Sequence, residues 1–284
     1  MKGVIISAGY GSRFFPVTKT VPKEMLPLYN IPSIHFAVAE LMEAGIEDII
    51  VVTSRRKKTL DDYFDVEFEL ETFFKGSGKE ELIKPYSVNV CFVRQKRMMG
   101  VGNAILEASS FIGREPFILL YPDDIVISSP SLSKRLIDLH KVTGKSVLSL
   151  VNKSGEDVSR FGVVKVVEKS GFFEVEKVIE KPKPGEAPSG YIAIGRYLFT
   201  NELIELLRDE WDRFGGKGEF YHISSLNKLC SMGRVVGLEV DGKDFFDTGT
   251  PIEYSKAFIR FLVEHSEVRN EMKEWLRRYV ERSL

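Results

Sequence analysis

Cysteine and histidine are scarce in this chain of 284 residues, at 2 and 4 respectively. Cys91 and Cys230 lie far apart, one in an apolar run and one in a helix-like segment. That disfavours both a disulfide framework and a cysteine metal site, so both are expected to be reduced core thiols. His35, His140, His222 and His265 are scattered and offer no His-centred catalytic constellation. Charge of one sign is not in excess either: 40 basic residues stand against 41 acidic ones. A nucleic-acid binder would show a basic surplus or a basic stripe with interleaved aromatics, and neither is present. No apolar run approaches the roughly 18 residues of a membrane span, and the N-terminus lacks the ordered regions of a signal peptide. The expectation is a cytoplasmic protein with no membrane and no nucleic-acid partner. Two familiar phosphate fingerprints are also missing. Gly144-Lys145-Ser146 imitates the end of a P-loop, but Leu139 stands where its first glycine belongs. A dinucleotide fingerprint fails at Phe14, its third glycine position, and the second apolar run, ending Val52-Thr53-Ser54, offers no acid to a ribose.

What is present is a glycine loop packed with cations. The strand-like VIISA runs into GYGSRFFPVTKTVPKEMLP, bringing Gly9, Gly11, Arg13, Lys19 and Lys23 towards one crevice. Glycines let backbone N–H groups approach phosphate oxygens, a following helix N-terminus would add favourable potential, and Arg or Lys supplies full charge. The same residues suit a tight strand-to-helix turn with solvated charges, and glycine spacing alone does not choose between the two.

Hydrophobic patterning sets the fold class. VIISA, a helical stretch over 32 to 44, IEDIIVVT, a helix after Arg55, VNVCFVRQ, a helix after Gly102 and PFILLYPDD alternate along the first half. Such alternation predicts an α/β fold with a Rossmann-like, mixed but mainly parallel sheet and helices on both faces. In such sheets ligands gather beyond the carboxyl ends of strands, where the glycine loop, Gln95 and Asp123-Asp124 fall. After SVLSLV the runs shorten: FGVVKVVE and FFEVEKVIEKP flank Lys169-Ser170-Gly171 as an antiparallel hairpin. The chain therefore divides, by expectation, into a domain of residues 1–249 and a C-terminal helical segment over 250–284. Within the domain, residues 1–151 form one half and 152–249 the other. In the last segment Tyr254, Phe258, Phe261 and Leu262 share a helix face, and Trp275 and Tyr279 are placed to cover a neighbouring subunit. Residues 66–86 read as a helical excursion broken at Gly76-Ser77-Gly78, a candidate flap.

The glycine loop resembles the signature of sugar-1-phosphate nucleotidyltransferases, and PKEMLP in particular resembles the bacterial UTP–glucose-1-phosphate uridylyltransferases. The likeness continues, in the same order, through VRQKRMMGVGNA (93–104), LLYPDDI (119–125), RFGVV (160–164), VIEKP (178–182), GRYLF (195–199), GEF (218–220) and FDTGTPIEY (246–254). It implies Mg²⁺-dependent transfer of a uridylyl group from UTP to glucose 1-phosphate by a homo-oligomer, with inversion at the attacked phosphorus. By the same resemblance Arg13 holds the leaving phosphates and Lys23 the α-phosphate, with Lys19 as an assistant. Asp123 and Asp247 are the implied metal ligands, and Asp124 supports them. Ala8, Gly9, Gly11, Gln95, Gly100 and Asp123 are the implied nucleotide-binding residues, with the Gln95 amide pairing a base edge through both donor and acceptor. The hairpin side holds the sugar, through Gly162, Glu180 and Lys181.

Elementary chemistry agrees with the absences. A sugar phosphate loses its second proton near roughly pH 6, so the nucleophile is already an anion and needs no general base. The demand is for positioning and cations. The chain departs from the uridylyltransferase pattern in two places. The usual GEIQLTDA is GEFYHISS over 218–225, and a usual lysine and histidine are Met99 and Asn103. The alternatives are a thymidylyl-, cytidylyl- or guanylyltransferase for another sugar 1-phosphate, or a weakly catalytic regulatory paralogue that binds sugar nucleotides.

Overall fold

The computed structural model describes residues 1–83, 86–183 and 185–283. Among these, the alternating pattern becomes one nine-stranded mixed sheet. Its order across is Asn89–Arg94, Asp48–Thr53, Lys2–Ile6, Phe117–Leu120, Tyr191–Phe199, Ser146–Asn152, Val235–Val240, Phe172–Glu180 and Gly162–Lys169. The first four strands are mutually parallel. Tyr191–Phe199 then enters antiparallel to both of its neighbours, and Val235–Val240 runs parallel to Ser146–Asn152. The far edge is the predicted hairpin, with Phe172 opposite Lys169 and Gly171 at φ 85° in the turn.

Each strand is short and rich in β-branched residues, as a sheet buried on both faces requires. One face packs under Val101–Ile112, Glu202–Trp211 and Ile223–Ser231, through Ile105, Ile112, Leu203, Leu207 and Leu226. The other lies under Ser33–Glu43 and Leu132–Thr143, through Ile34, Val38, Leu41 and Leu136. A third, smaller cluster joins Leu28, Ile125 and Phe246 to Ala257 and Phe261 of the helix Pro251–Glu264. That helix begins at a capping box: Thr250 Oγ1 accepts from the Glu253 N–H at 3.3 Å, and Pro251 opens the first turn.

Two expectations are corrected. Cys230 is buried, and burial pushes its thiol up to about 12, but Cys91 is exposed. Its strand, Asn89–Arg94, is the sheet edge, so one of the faces read as core remains open. The glycine loop also does not run straight into an α-helix. It passes through three short 3₁₀ turns, Ser12–Phe14, Val17–Lys19 and Lys23–Met25, before Ser33–Glu43. Pro16, Pro22, Pro27 and Pro32 punctuate this stretch, each removing an N–H and restricting the residue before it. Any positive potential here comes from side chains and turn amides. Residues 68–74 form the expected helical excursion, followed by Gly76 and Gly78 at positive φ; residues 84 and 85 of that segment lie outside the described residues. Among the described residues no helix is long and apolar enough to cross a membrane.

Candidate active site

The glycine loop is folded back on itself. Gly11 sits at φ 66° and its carbonyl accepts from Thr18 Oγ1 at 2.7 Å. A Cβ at Gly11 would stand 3.1 Å from Thr18 Cγ2 and 3.6 Å from Lys23 Cβ, so the glycine is what lets the loop close. Of the residues expected on the nucleotide side, Ala8, Gly9, Lys23, Gln95, Gly100 and Asp123 line one cavity of about 420 Å³. Gly11 does not line it and shapes the loop from behind.

Gln95 is buried, and its amide is already engaged. Nε2 donates to the Gly100 carbonyl at 2.9 Å and to Asn103 Oδ1 at 2.8 Å. A backbone carbonyl can only accept, so the Gly100 contact sets which way the amide faces. Both donor hydrogens are therefore used within the protein, and only the carbonyl Oε1 is left to meet a ligand. This corrects the expectation that the side chain would both donate to and accept from a base. The loop beyond Gln95 is clamped to the segment at 218–225: Phe220 N–H donates to Met99 O at 2.6 Å, and Gly102 N–H donates to Phe220 O at 2.9 Å. Gly100 has φ 91°, and a Cβ there would lie 2.7 Å from Phe220 O, so this close backbone approach needs glycine.

The charged groups gather at the carboxyl ends of the strands. Lys23 Nζ donates to Asp123 Oδ2 at 2.5 Å. Burial by itself would lower the ammonium, but the carboxylates of Asp123 and Glu24 outweigh it and hold Lys23 above its ordinary value. Burial likewise works against Asp123, yet Lys23 keeps it below the usual carboxylate range. Behind them Glu24 receives Lys57 Nζ on both oxygens at 2.7 Å, a pair the sequence did not announce.

A two-stranded antiparallel ribbon joins Asp124–Val126 to Phe245–Asp247, with Asp124 opposite Asp247. Thr248 reinforces it, since its N–H and its Oγ1 both donate to Asp123 O at 2.8 Å. The consequence is convergence at Gly249. A Cβ placed there would lie 3.1 Å from Asp247 Oδ1, 3.6 Å from Asp123 Oδ2 and 3.7 Å from Arg13 Nη1. Arg13 also donates to the Gly249 carbonyl at 3.2 Å. Asp247 Oδ2 accepts from Arg160 at 2.9 Å, a residue passed over within RFGVV. Asp124 turns inward, where its Oδ2 accepts from the Gly195 N–H at 2.6 Å. Burial, then the charges of Asp123 and Asp247, push its carboxyl up to about 7.

On the hairpin side Gly162 and Glu180 line a smaller cavity of about 140 Å³ with Tyr121, Tyr197, Tyr221 and His222. Tyr121 and Val101 belong to both cavities, so the two are neighbours. A Cβ at Gly162 would come 3.1 Å from Glu180 Oε2, so the glycine makes room for the carboxylate as well as for any ligand. Burial raises the Glu180 pKa, opposed by Lys181. Lys181 lines neither cavity; its Nζ is 3.8 Å from Glu180 Oε1, and its backbone is held at φ 49°, a conformation uncommon for a non-glycine residue. His222 and Tyr197 were not expected here. The signal that could have pointed to His222 was the GEFYHISS departure itself.

Comparison with known proteins agrees with this arrangement. The family model described as nucleotidyl transferase matches residues 2–263. A UTP–glucose-1-phosphate uridylyltransferase 2 of Streptococcus pyogenes serotype M3 is 36% identical over 285 residues, covering 97% of this chain and 94% of its own. Among solved structures, a UDP-glucose pyrophosphorylase complexed with UDP-glucose superposes with a TM-score of 0.80 at 34% identity, over 93% of this chain and 99% of that one. A UTP-bound UGPase from Acinetobacter baumannii gives 0.86 at 31% identity, over 97% and 98%. The match spans the glycine loop, the paired strands that bring the acids together and the hairpin side alike, so this chain belongs to the nucleotidyl transferase family.

Proposed function

We propose that this protein transfers a uridylyl group from UTP to glucose 1-phosphate, giving UDP-glucose and pyrophosphate. The observation that carries the reading is the convergence of Arg13, Asp123 and Asp247 around Gly249, with Lys23 bonded to Asp123 at the wall of the larger cavity. In this reading residues 1–151 carry the nucleotide and residues 152–249 the sugar.

The nucleotide's base occupies the cavity beside Ala8, Gly9 and Gly100. Gln95 Oε1, with its amide hydrogens already used, accepts from a base N–H. Uracil offers a donor at N3, whereas cytosine presents an acceptor there, so this carbonyl favours UTP over CTP. Lys23 holds the α-phosphate and Arg13 the departing phosphates. Both stabilise charge that grows on the leaving group, and no side chain is needed to take a proton from the phosphate nucleophile. Glu180 accepts from sugar hydroxyls and Lys181 holds the sugar phosphate.

Asp123 and Asp247 fit a divalent cation such as Mg²⁺. Both present hard carboxylate oxygens to one point, and Mg²⁺ is commonly held by one or two carboxylates together with substrate phosphates. The absence, among the described residues, of any larger His, Cys, Asp or Glu cage accords with that mode of binding. When bound, the ion neutralises phosphate charge; Asp124, partly protonated near neutral pH, limits the negative charge gathered around it. The exposed Trp275 and Val280 of the last helix support assembly of like subunits, which light scattering reads directly.

The test is pyrophosphate release. Purified protein with Mg²⁺ and UTP releases pyrophosphate only when glucose 1-phosphate is added. Silence across a panel of four nucleoside triphosphates and several sugar phosphates overturns the assignment.

A further inference from the structure

His222 lies at the start of the helix Ile223–Ser231, where its carbonyl accepts from the Leu226 N–H at 2.9 Å. The same helix is tied to the hairpin by Asn227, which bonds both the N–H and the carbonyl of Val178. The imidazole is thus set on rigid backbone, packed beside the rings of Tyr197 and Phe199 at 6.1 and 6.2 Å. It lines the smaller cavity opposite Glu180 and Gly162. Only 6% of the residue is exposed, and neither Nδ1 nor Nε2 has a hydrogen-bond partner among the described residues. Among those residues His222 alone carries two such orphaned atoms.

Buried polar atoms are nearly always paired, and an isolated pair of them facing a cavity marks a place where a partner arrives from outside. Burial keeps the ring neutral, with its pKa lowered to about 4, so it presents one donor and one acceptor. That is the complement of a hydroxyl, not of a phosphate. The cavity around it supports the same ligand: aromatic walls suit the C–H faces of a pyranose, and Glu180 accepts from further hydroxyls.

We propose that His222 hydrogen-bonds a ring hydroxyl of the sugar 1-phosphate and is a specificity-determining residue of this enzyme. The inference rests on the uridylyltransferase reading and deepens it: the sugar is selected by a neutral imidazole at the place where the usual family sequence has no histidine. A site built to bond a hydroxyl rejects an analogue that lacks it, because the buried partner is left unpaired.

The experiment compares glucose 1-phosphate with its 2-, 3-, 4- and 6-deoxy analogues in the wild-type protein, in His222→Leu and in His222→Gln. Wild type is expected to lose about 100-fold in kcat/KM on one analogue. His222→Leu is expected to lower kcat/KM for glucose 1-phosphate by about tenfold or more, chiefly through the sugar KM, and to erase the penalty on that analogue while leaving the UTP KM unchanged. His222→Gln restores part of the discrimination. A Leu variant that folds and keeps the wild-type profile overturns the proposal, because it would mean that only water meets the imidazole. Ring-nitrogen NMR with UDP-glucose reads the same contact without turnover: His222 resonances shift if the sugar touches the ring, and unmoved resonances at saturation overturn it. Wild-type protein that turns over no sugar 1-phosphate sinks the uridylyltransferase reading, an outcome distinct from turnover with an indifferent histidine.

Discussion

The two cavities are neighbours that share Tyr121, yet they are built on opposite electrostatic plans. On the nucleotide side nearly every polar group is already engaged. Lys23 holds Asp123, Lys57 holds Glu24, Arg13 holds a backbone carbonyl and Gln95 has used both amide hydrogens. On the sugar side burial dominates: Glu180 is pushed up, His222 is pushed down, and the imidazole is left without a partner. The difference follows from the ligands. A triphosphate brings several charges and needs full, pre-positioned counter-charges, whereas a sugar brings hydroxyls and is read only by neutral groups that are dry and unsatisfied until it arrives.

The sharpest break in this comparison would come from Lys23. Lys23→Ala is expected to lower kcat by about 10²- to 10³-fold, the cost of losing one preorganised donor to transition-state charge. Near-normal turnover in a folded variant would reduce Lys23 to a structural partner of Asp123.

Acid stability probes the other cavity. His222 has a folded pKa of about 4, below the ordinary 6.5, because burial opposes its charged form. As pH falls below 6.5 the unfolded chain takes up the proton first, so this residue's stability is intact above 6.5 and is lost as pH falls towards 4. The loss amounts to roughly 3 kcal/mol at the acid end. The difference between wild type and His222→Leu in urea unfolding should therefore change with pH over that window. A constant difference would mean that the imidazole is not shielded from water.

Gln95 sharpens the contrast more gently. Replacing it by methionine is expected to cost about tenfold in kcat/KM for UTP, the worth of one hydrogen bond, with little change for CTP. Equal losses on both bases would remove Gln95 from base selection.

The smallest effect concerns salt. Arg55, Arg56, Arg94, Lys96 and Arg97 line a third pocket that adjoins the nucleotide cavity through Tyr10, Gln95 and Met98. Their field should steer UTP inward, so raising ionic strength from about 0.05 to about 0.5 M is expected to lower kcat/KM for UTP roughly threefold. Sugar discrimination should not move under the same change.

Much of this was legible in the chain. Runs such as VIISA and FILL became strands because period and β-branching are local properties, and the turn at Gly171 was visible because few residues suit positive φ. Cys91 was misplaced because an apolar run does not say whether its strand is central or at the edge. The helix expected after the glycine loop failed because four prolines in 17 residues, Pro16 to Pro32, break it into 3₁₀ turns. Gln95 was misread because its side-chain partners, Gly100 and Asn103, are brought to it by the fold of the following loop.

The residue types were set by the sequence alone: cations in a glycine loop, acids at strand ends, a glutamine after a strand, and elements with the right period to make a layered sheet. Which of them meet was decided by tertiary structure. Asp123 and Asp247 share a point because a ribbon pairs residue 124 with residue 247, and His222 faces a cavity because the hairpin closes against its helix. Hydrophobic period encodes which face of an element is buried, but partner and register across a hundred residues come from long-range hydrogen bonding and packing, which only the folded chain contains.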